Sequence, residues 1–463
     1  MIEYIDFLKT KEMKAEAVGF ETEEVNPRLF EWQTEIVRWA LLKGRACIFA
    51  DCGLGKTPMQ LQWADQVAKH AGKPVLIIAP LAVASQTQRE GRKFDVAVNI
   101  CRRQEDVSDG VNITNYEMVE HFDADAFSGV VLDESSILKD ATSATRKLLT
   151  DKFEQTPYKL CCTATPSPND FMEIGTHAHF LGIMTQPEML STFFCHDGGN
   201  TSKWRLKGHA EQKFFEWIAS WACCLTSPED LGYDGSAYVL PQLRVHEIIV
   251  KTDLMVSADG QELFIPSATQ TLNERRGARR NSIDLRVEAA AQIANGTADQ
   301  VLVWCDLNDE SAKLSEAISD AVEVRGSNTP EYKEATMNDF TAEKVRVMVS
   351  KPSIAGWGMN WQQCHNMIFV GLSDSFEAYY QAVRRCWRFG QQNPVDVYII
   401  TSDAEGAVKD NIQRKQRDAQ KMTSELIRYT KDILTAEIHH TVRMSEQYIT
   451  LERMVVPEWL LTA

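Results

Sequence analysis

The chain has no Cys-x-x-Cys pair, although it carries eleven cysteines in 463 residues. Cys161-Cys162 and Cys223-Cys224 are adjacent in sequence, a spacing that zinc knuckles do not use. An odd and dilute set of cysteines excludes a disulfide scaffold and predicts reduced, mostly buried thiols. His177, His179, Cys195 and His196 lie close together, but their spacing matches no standard ligand pattern, so they read as core or surface side chains. Long hydrophobic runs are missing too: nothing approaches the ~18 consecutive apolar residues of a membrane span. Residues 1–25 are mixed and acidic, without the basic start and apolar core of a signal peptide, which predicts a cytoplasmic protein with no membrane partner. No internal repeat or low-complexity segment stands out.

Positive charge is scarce. Lys and Arg number 49 against 65 Asp and Glu, a net charge of −16, which excludes coating of nucleic acid by bulk attraction. A locally basic track remains compatible with that balance. One candidate segment holds Arg275, Arg276, Arg279, Arg280 and Arg286; another holds Lys409, Arg414, Lys415, Arg417, Lys421, Arg428 and Lys431. Each also reads as an ordinary solvated helix face.

What is present is hydrophobic patterning in two series. With 44% hydrophobic and 25% charged residues, and ~150 residues per domain as a guide, the chain has ample core for about three domains' worth of structure. RACIFAD, PVLIIAP, VNITNYE, GVVLDES and YKLCCTATP alternate with helical patterns in the first series. DQVLVWCD, DAVEVRG, VRVMVSK, HNMIFVG and VDVYIIT do so in the second. Short apolar runs of this kind predict buried parallel strands, hence two α/β units. Residues 1–172 are expected as a first lobe, 173–245 as a mainly helical insertion and connector, and 246–430 as a second lobe. The chain turns helical and charged after Thr401, and 431–463 is a tail without a firm assignment.

The sharpest motif is Ala50-Asp-Cys-Gly-Leu-Gly-Lys-Thr57, directly after an apolar strand and before a helix-compatible run. A turn containing Gly53 and Gly55 lets backbone N–H groups close on phosphate oxygens, and the helix N-terminus behind it favours an anion. Lys56 is placed for the β- and γ-phosphates of ATP and Thr57 for Mg²⁺. Ala50 stands where the generic pattern has glycine. Gly129-Val-Val-Leu-Asp133-Glu134 is a second strand, ending in two carboxylates: Asp133 to hold Mg²⁺ and Glu134 to polarise the attacking water. Two such elements in order read as an ATP hydrolase.

Further motifs resemble those of superfamily 2 helicases and, within them, the Swi/Snf-type translocases. Gln33, in Phe30-Glu-Trp-Gln33, falls where that superfamily reads adenine, and Thr163-Ala-Thr165-Pro-Ser167 resembles its coupling motif between ATP and nucleic acid. Ser350-Lys-Pro-Ser-Ile-Ala-Gly356-Trp-Gly358-Met-Asn360 resembles motif V, "aGxGxN". Gln381-Ala-Val-Arg-Arg385-Cys-Trp-Arg388-Phe-Gly-Gln391 resembles motif VI, "QaxgRxxRxGQ". The resemblance implies two tandem RecA-like lobes with the ATP site between them. It makes Arg388 the main arginine finger, with Arg385 beside it and Gln381 and Gly358 completing the second half of the site. Pro80, Thr114, Asn115, Thr163, Thr165, Ser350 and Asn360 then face nucleic acid, with the Arg275–Arg280 cluster as further track.

Motif II reads Asp-Glu-Ser135-Ser136, which matches neither the DEAH nor the DEAD-box group. The insertion is shorter than in chromatin remodellers and no reader segment is visible, so nucleosome remodelling is not expected. The compact layout, with Trp217-Ile-Ala-Ser-Trp221 before Asp230-Leu-Gly-Tyr233, resembles helicase-like proteins of phages and prophages. The implied activity is ATP-driven translocation on DNA, double-stranded, more readily than on RNA, with or without strand separation. Replication or recombination proteins are the implied protein partners. An ATP-gated clamp with little turnover and an RNA helicase are the alternatives.

Overall fold

All ten of the buried apolar runs become strands, since a segment apolar on consecutive residues needs cover on both faces. The computed structural model describes residues 14–80, 83–140, 142–167, 171–197, 200–251, 282–356, 359–373, 375–403 and 406–438. In the first lobe these strands are β1 (Arg45–Ala50), β2 (Val75–Ala79), β3 (Val98–Ile100), β4 (Val111–Asn115), β5 (Gly129–Asp133) and β6 (Tyr158–Thr163), of which only the short β3 lacks a matching run. A hairpin follows, β7 (Phe194–Asp197) with β8 (Asn200–Leu206), and then β9 (Ala222–Leu225). The seven-stranded sheet runs β3-β4-β2-β5-β6-β1-β9, with every neighbouring pair parallel. Helices α1 (Glu31–Lys43), α2 (Lys56–Ala71), α3 (Ala84–Lys93) and α4 (Ala144–Lys152) connect and cover it.

The segment expected as a helical insertion and connector, 173–245, contributes more than helices. It does contain α5 (Ile174–Leu181), α6 (Gln186–Phe193) and α7 (Glu211–Ala219). Its β9, however, is part of the first sheet, pairing Cys47 with Ala222 and Ala50 with Leu225. Four apolar residues following the buried Trp217-to-Trp221 stretch carry no periodicity that separates strand from helix. At its end begins β10 (Leu243–Val250), which runs on into the segment expected as the second lobe; it is an edge strand largely exposed along its length and lacks the apolar run that marks the others.

The second lobe adds β11 (Val301–Cys305), β12 (Ala321–Val324), β13 (Val347–Ser350), β14 (Asn366–Val370) and β15 (Val395–Ser402). Its parallel order is β10-β15-β14-β11-β13-β12. Its helices are α8 (Ile283–Asn295), α9 (Asn308–Ala317), α10 (Pro330–Thr341), α11 (Pro352–Ala355) and α12 (Phe376–Val383). The chain is therefore α/β, two RecA-like units in tandem.

The last helix, α13 (Gly406–Ile438), returns to the first lobe. Tyr429 stacks on Phe215 of α7 at 4.4 Å and donates to Glu211 Oε1 at 3.0 Å. Leu426 and Leu434 are buried there. The boundary placed at residue 430 thus falls inside one continuous helix. Of the basic segments, Arg275, Arg276, Arg279 and Arg280 lie outside the described residues. Arg286 is not surface charge: it is wholly buried and ion-paired with Glu310 at 2.8 Å, holding α8 to α9. A guanidinium taken that far from water needs such a partner, which removes it from any exposed track.

Candidate active site

Parallel strands deliver all their following loops to one edge of a sheet, where ligands of such folds bind. β1 ends in the phosphate loop, and β5, two strands away, ends in Asp133 and Glu134. Gly53 and Gly55 adopt φ of +91° and +73°, conformations that disfavour side chains. A Cβ on Gly55 would also sit 2.4 Å from Gln33 Nε2. One on Gly53 would sit 3.0 Å from the backbone nitrogen of Phe389, in the second lobe. The loop is thus packed from both sides.

Lys56 opens α2 and donates to the Ala50 carbonyl at 2.9 Å, so its ammonium lies within the loop's curve. One turn on, Gln60 donates to Asp133 Oδ1 at 2.7 Å. Glu134 adopts φ +56°, a left-handed conformation rare outside glycine, and its Oε2 is buried without a hydrogen-bond partner among the described residues. Burial pushes both carboxyls above their usual range, against the pull of Lys56 and Arg385.

The second lobe closes the cleft. Arg385 donates to Gln381 O and Gln381 Oε1, each at 2.9 Å, and to Met359 O at 3.1 Å. Arg388 reaches Met359 O at 3.5 Å, and burial beside Arg385 pushes it down to about 10. The resulting cleft of about 370 Å³ brings together Gly53, Gly55, Lys56, Thr57, Asp133 and Glu134 with Arg385 and Arg388. Phe30, Tyr238 and Phe389 give the cleft an aromatic lining, Tyr238 and Phe389 lying 4.8 Å apart. Gln33 is there too, but its amide already donates to Leu54 O at 3.1 Å and its carbonyl accepts from Phe30 N at 3.1 Å. One N–H and one lone pair are left for a base.

A second cavity, about 410 Å³, lies between the lobes. Pro80, Thr114 and Asn115 line one wall, and Lys333, Asn338 and Ser353 the other. Arg89 of α3 donates to Asn338 of α10 across it at 3.0 Å. The remaining residues expected at nucleic acid are elsewhere. Asn360 lines the nucleotide-sized cleft. Ser350 is wholly buried and donates to Val324 O at 3.0 Å, because it closes β13 rather than starting the loop beyond. Thr163 is buried and accepts from Thr165 N at 3.1 Å, while Thr165 donates to Glu377 of α12. Gly358 lies outside the described residues.

Sequence reasoning missed several side chains at the lobe junction: Asp51, Lys139, Glu377, Tyr380 and Arg384. Asp51 pairs with Arg384 at 2.5 Å, and Lys139 with Glu377. A signal for one existed, since Arg384 stands where the motif VI spelling has a small residue. Of the four side chains weighed for a metal, His177 is buried against Ser135 Oγ at 3.1 Å, and the His196 ring packs at a tilt against Trp204, 3.9 Å between centroids, in the hairpin.

Two family models agree with this layout. Residues 32–194 match the SNF2-related domain, and residues 285–390 match the helicase conserved C-terminal domain. A stretch of 118 residues, 25% of the chain, is 26% identical to the ATP-dependent RNA helicase FAL1 of Kluyveromyces lactis and spans 29% of that protein's length. A solved structure, the SWI2/SNF2 ATPase core of Sulfolobus solfataricus in complex with double-stranded DNA, aligns over 90% of this chain and 98% of its own. The identity is 15% and the TM-score 0.42.

Proposed function

For a chain that belongs to the Swi/Snf-type helicases of superfamily 2, with an SNF2-related domain followed by a helicase C-terminal domain, we propose an ATP-driven motor that translocates on DNA. The observation that carries this reading is the cleft itself. A phosphate loop and two buried acids on one lobe face two arginines on the other. Neither lobe holds a complete site.

The geometry supports the following roles. Lys56 and the N-terminus of α2 bind the phosphates of ATP. The residues fit a Mg²⁺ ion: Thr57 and Asp133 line the same cleft, and the Asp133 carboxylate has an oxygen beyond the one that Gln60 holds. When bound there, the ion neutralises charge on the β- and γ-phosphates. Glu134, whose Oε2 has no hydrogen-bond partner among the described residues, orients and deprotonates the attacking water. Arg385 and Arg388 stabilise the charge that spreads over the transferring phosphoryl group. Phe30, Tyr238 and Phe389 cover the base, with Gln33 beside it.

ATP then bridges the lobes, and its hydrolysis removes the bridge. Opening and closing change the width of the second cavity, whose two walls come from different lobes. Contacts to a phosphate backbone there position without reading sequence. DNA is preferred over RNA on the spelling of motifs V and VI, and a cytoplasmic setting with replication or recombination partners suits such a motor. Lys56→Ala is expected to abolish phosphate release; retained hydrolysis would place the site elsewhere. A triplex-displacement assay then asks for movement along duplex DNA. Displacement of an RNA strand alone would favour the RNA-helicase reading.

A further inference from the structure

Arg384 does not point into the nucleotide cleft. Its Nη2 meets Asp51 Oδ2 at 2.5 Å and donates to the Cys52 carbonyl at 2.9 Å, so one side chain of α12's end grips two residues of the phosphate loop. Tyr380, one turn earlier on α12, donates its hydroxyl to the other Asp51 oxygen. Tyr380 and Trp387 flank the guanidinium at 5.7 and 5.1 Å. The arginine side chain is 5% exposed. In that setting either partner left alone would be a poorly solvated charge, so the contact holds strongly once formed. Arg385, the next residue, turns the other way, into the cradle of Gln381 and Met359.

We infer that Asp51, Tyr380 and Arg384 form an interlobe latch that pins the end of α12 to the phosphate loop and thereby positions Arg385 and Arg388 before ATP arrives. The three are positioning residues, since they border a neighbouring cavity and not the cleft where the phosphates sit. The catalytic part of the inference rests on the proposed ATP hydrolysis; the mechanical part does not. The latch lies away from the second cavity, so it serves as the pivot about which that cavity opens and closes, and the finger geometry need not be found anew in each cycle; misplacement by about 1 Å is enough to slow such a step about 10²-fold.

Two measurements on the full chain test this. Small-angle scattering without nucleotide reads the latch alone: Arg384→Ala is expected to enlarge the radius of gyration, and Arg384→Lys to keep it near wild type. Steady-state phosphate release reads the positioning. Arg384→Ala is expected to lower kcat about 10²-fold with a smaller change in KM, and Arg384→Lys to recover part of it. Asp51→Asn combined with Arg384→Gln is expected to be no worse than the worse single substitution, because either one opens the same latch. An unchanged radius in Arg384→Ala, multiplying effects in the double variant, or faster turnover on unlatching would each overturn the inference. If the wild-type chain hydrolysed no ATP, the proposed function would fail while the scattering result still decided the latch.

Discussion

Thr165 donates its hydroxyl to Glu377 Oε1 at 3.4 Å, joining the turn after β6 to the first turn of the helix that leads to Arg385 and Arg388. Lys139, in the segment after the paired acids, is ion-paired with the same carboxylate. Glu377 is 5% exposed, so its carboxylate end of both contacts is largely shielded from water. One carboxylate of the second lobe thus senses two loops of the first. Thr165→Val should weaken the link between nucleic acid and hydrolysis while sparing ATP affinity. The expected readout is a fall of about five-fold or more in the ratio of phosphate release with and without DNA. An unchanged ratio would mean that coupling runs elsewhere.

The two arginines should separate binding from chemistry. Arg388→Ala is expected to leave ATP binding largely intact and cut single-turnover hydrolysis by about 10³-fold. Arg385→Ala should be at least as severe, because the field of Arg385 reaches both Asp133 and Glu134. Fluorescent-nucleotide titration and quenched-flow hydrolysis measure the two effects separately. Weakened binding with unchanged turnover per bound ATP would contradict the assignment.

The acid limb of the pH profile should be displaced. Burial raises Glu134 above the ordinary 4.5, with Asp133 raised beside it. A protonated Glu134 cannot accept a proton from water, so kcat/KM should fall, as pH drops, at a value higher than that of a free glutamate. The limb belongs to the coupled pair rather than to one residue. A limb at or below 4.5 would show that Glu134 is not the base.

His177 should make the fold acid-sensitive. Burial pushes its imidazole down from 6.5 to about 4. The unfolded chain therefore takes up a proton between those values while the folded chain does not. The stability contribution is complete above pH 6.5 and is lost as pH falls toward 4. His177→Gln should flatten that part of the curve in urea denaturation, and equal slopes would rule the residue out.

The sequence made some of this legible and concealed the rest for identifiable reasons. That Lys56, Asp133 and Glu134 meet in one cleft could be read, because each stands at or just beyond the end of an apolar strand and parallel strands carry those ends to one edge of the sheet. β9 could not, being four residues set against a buried helix. Arg286 looked like surface charge, because a buried ion pair depends on Glu310, a partner on another helix. Asp51 and Arg384 are 333 residues apart, and local pattern carries no information about a contact of that kind. Ser350 and Asn360 fit the motif, yet the first ends inside a strand and the second turns toward the nucleotide-sized cleft.

Nucleic acid is expected to drive hydrolysis at the interlobe cleft. Phosphate release by the wild-type chain, measured without nucleic acid and then with duplex DNA, single-stranded DNA and RNA, tests it most directly. The expected result is strong stimulation, greatest with duplex DNA and lost in Lys56→Ala. The same rate under all four conditions would contradict it.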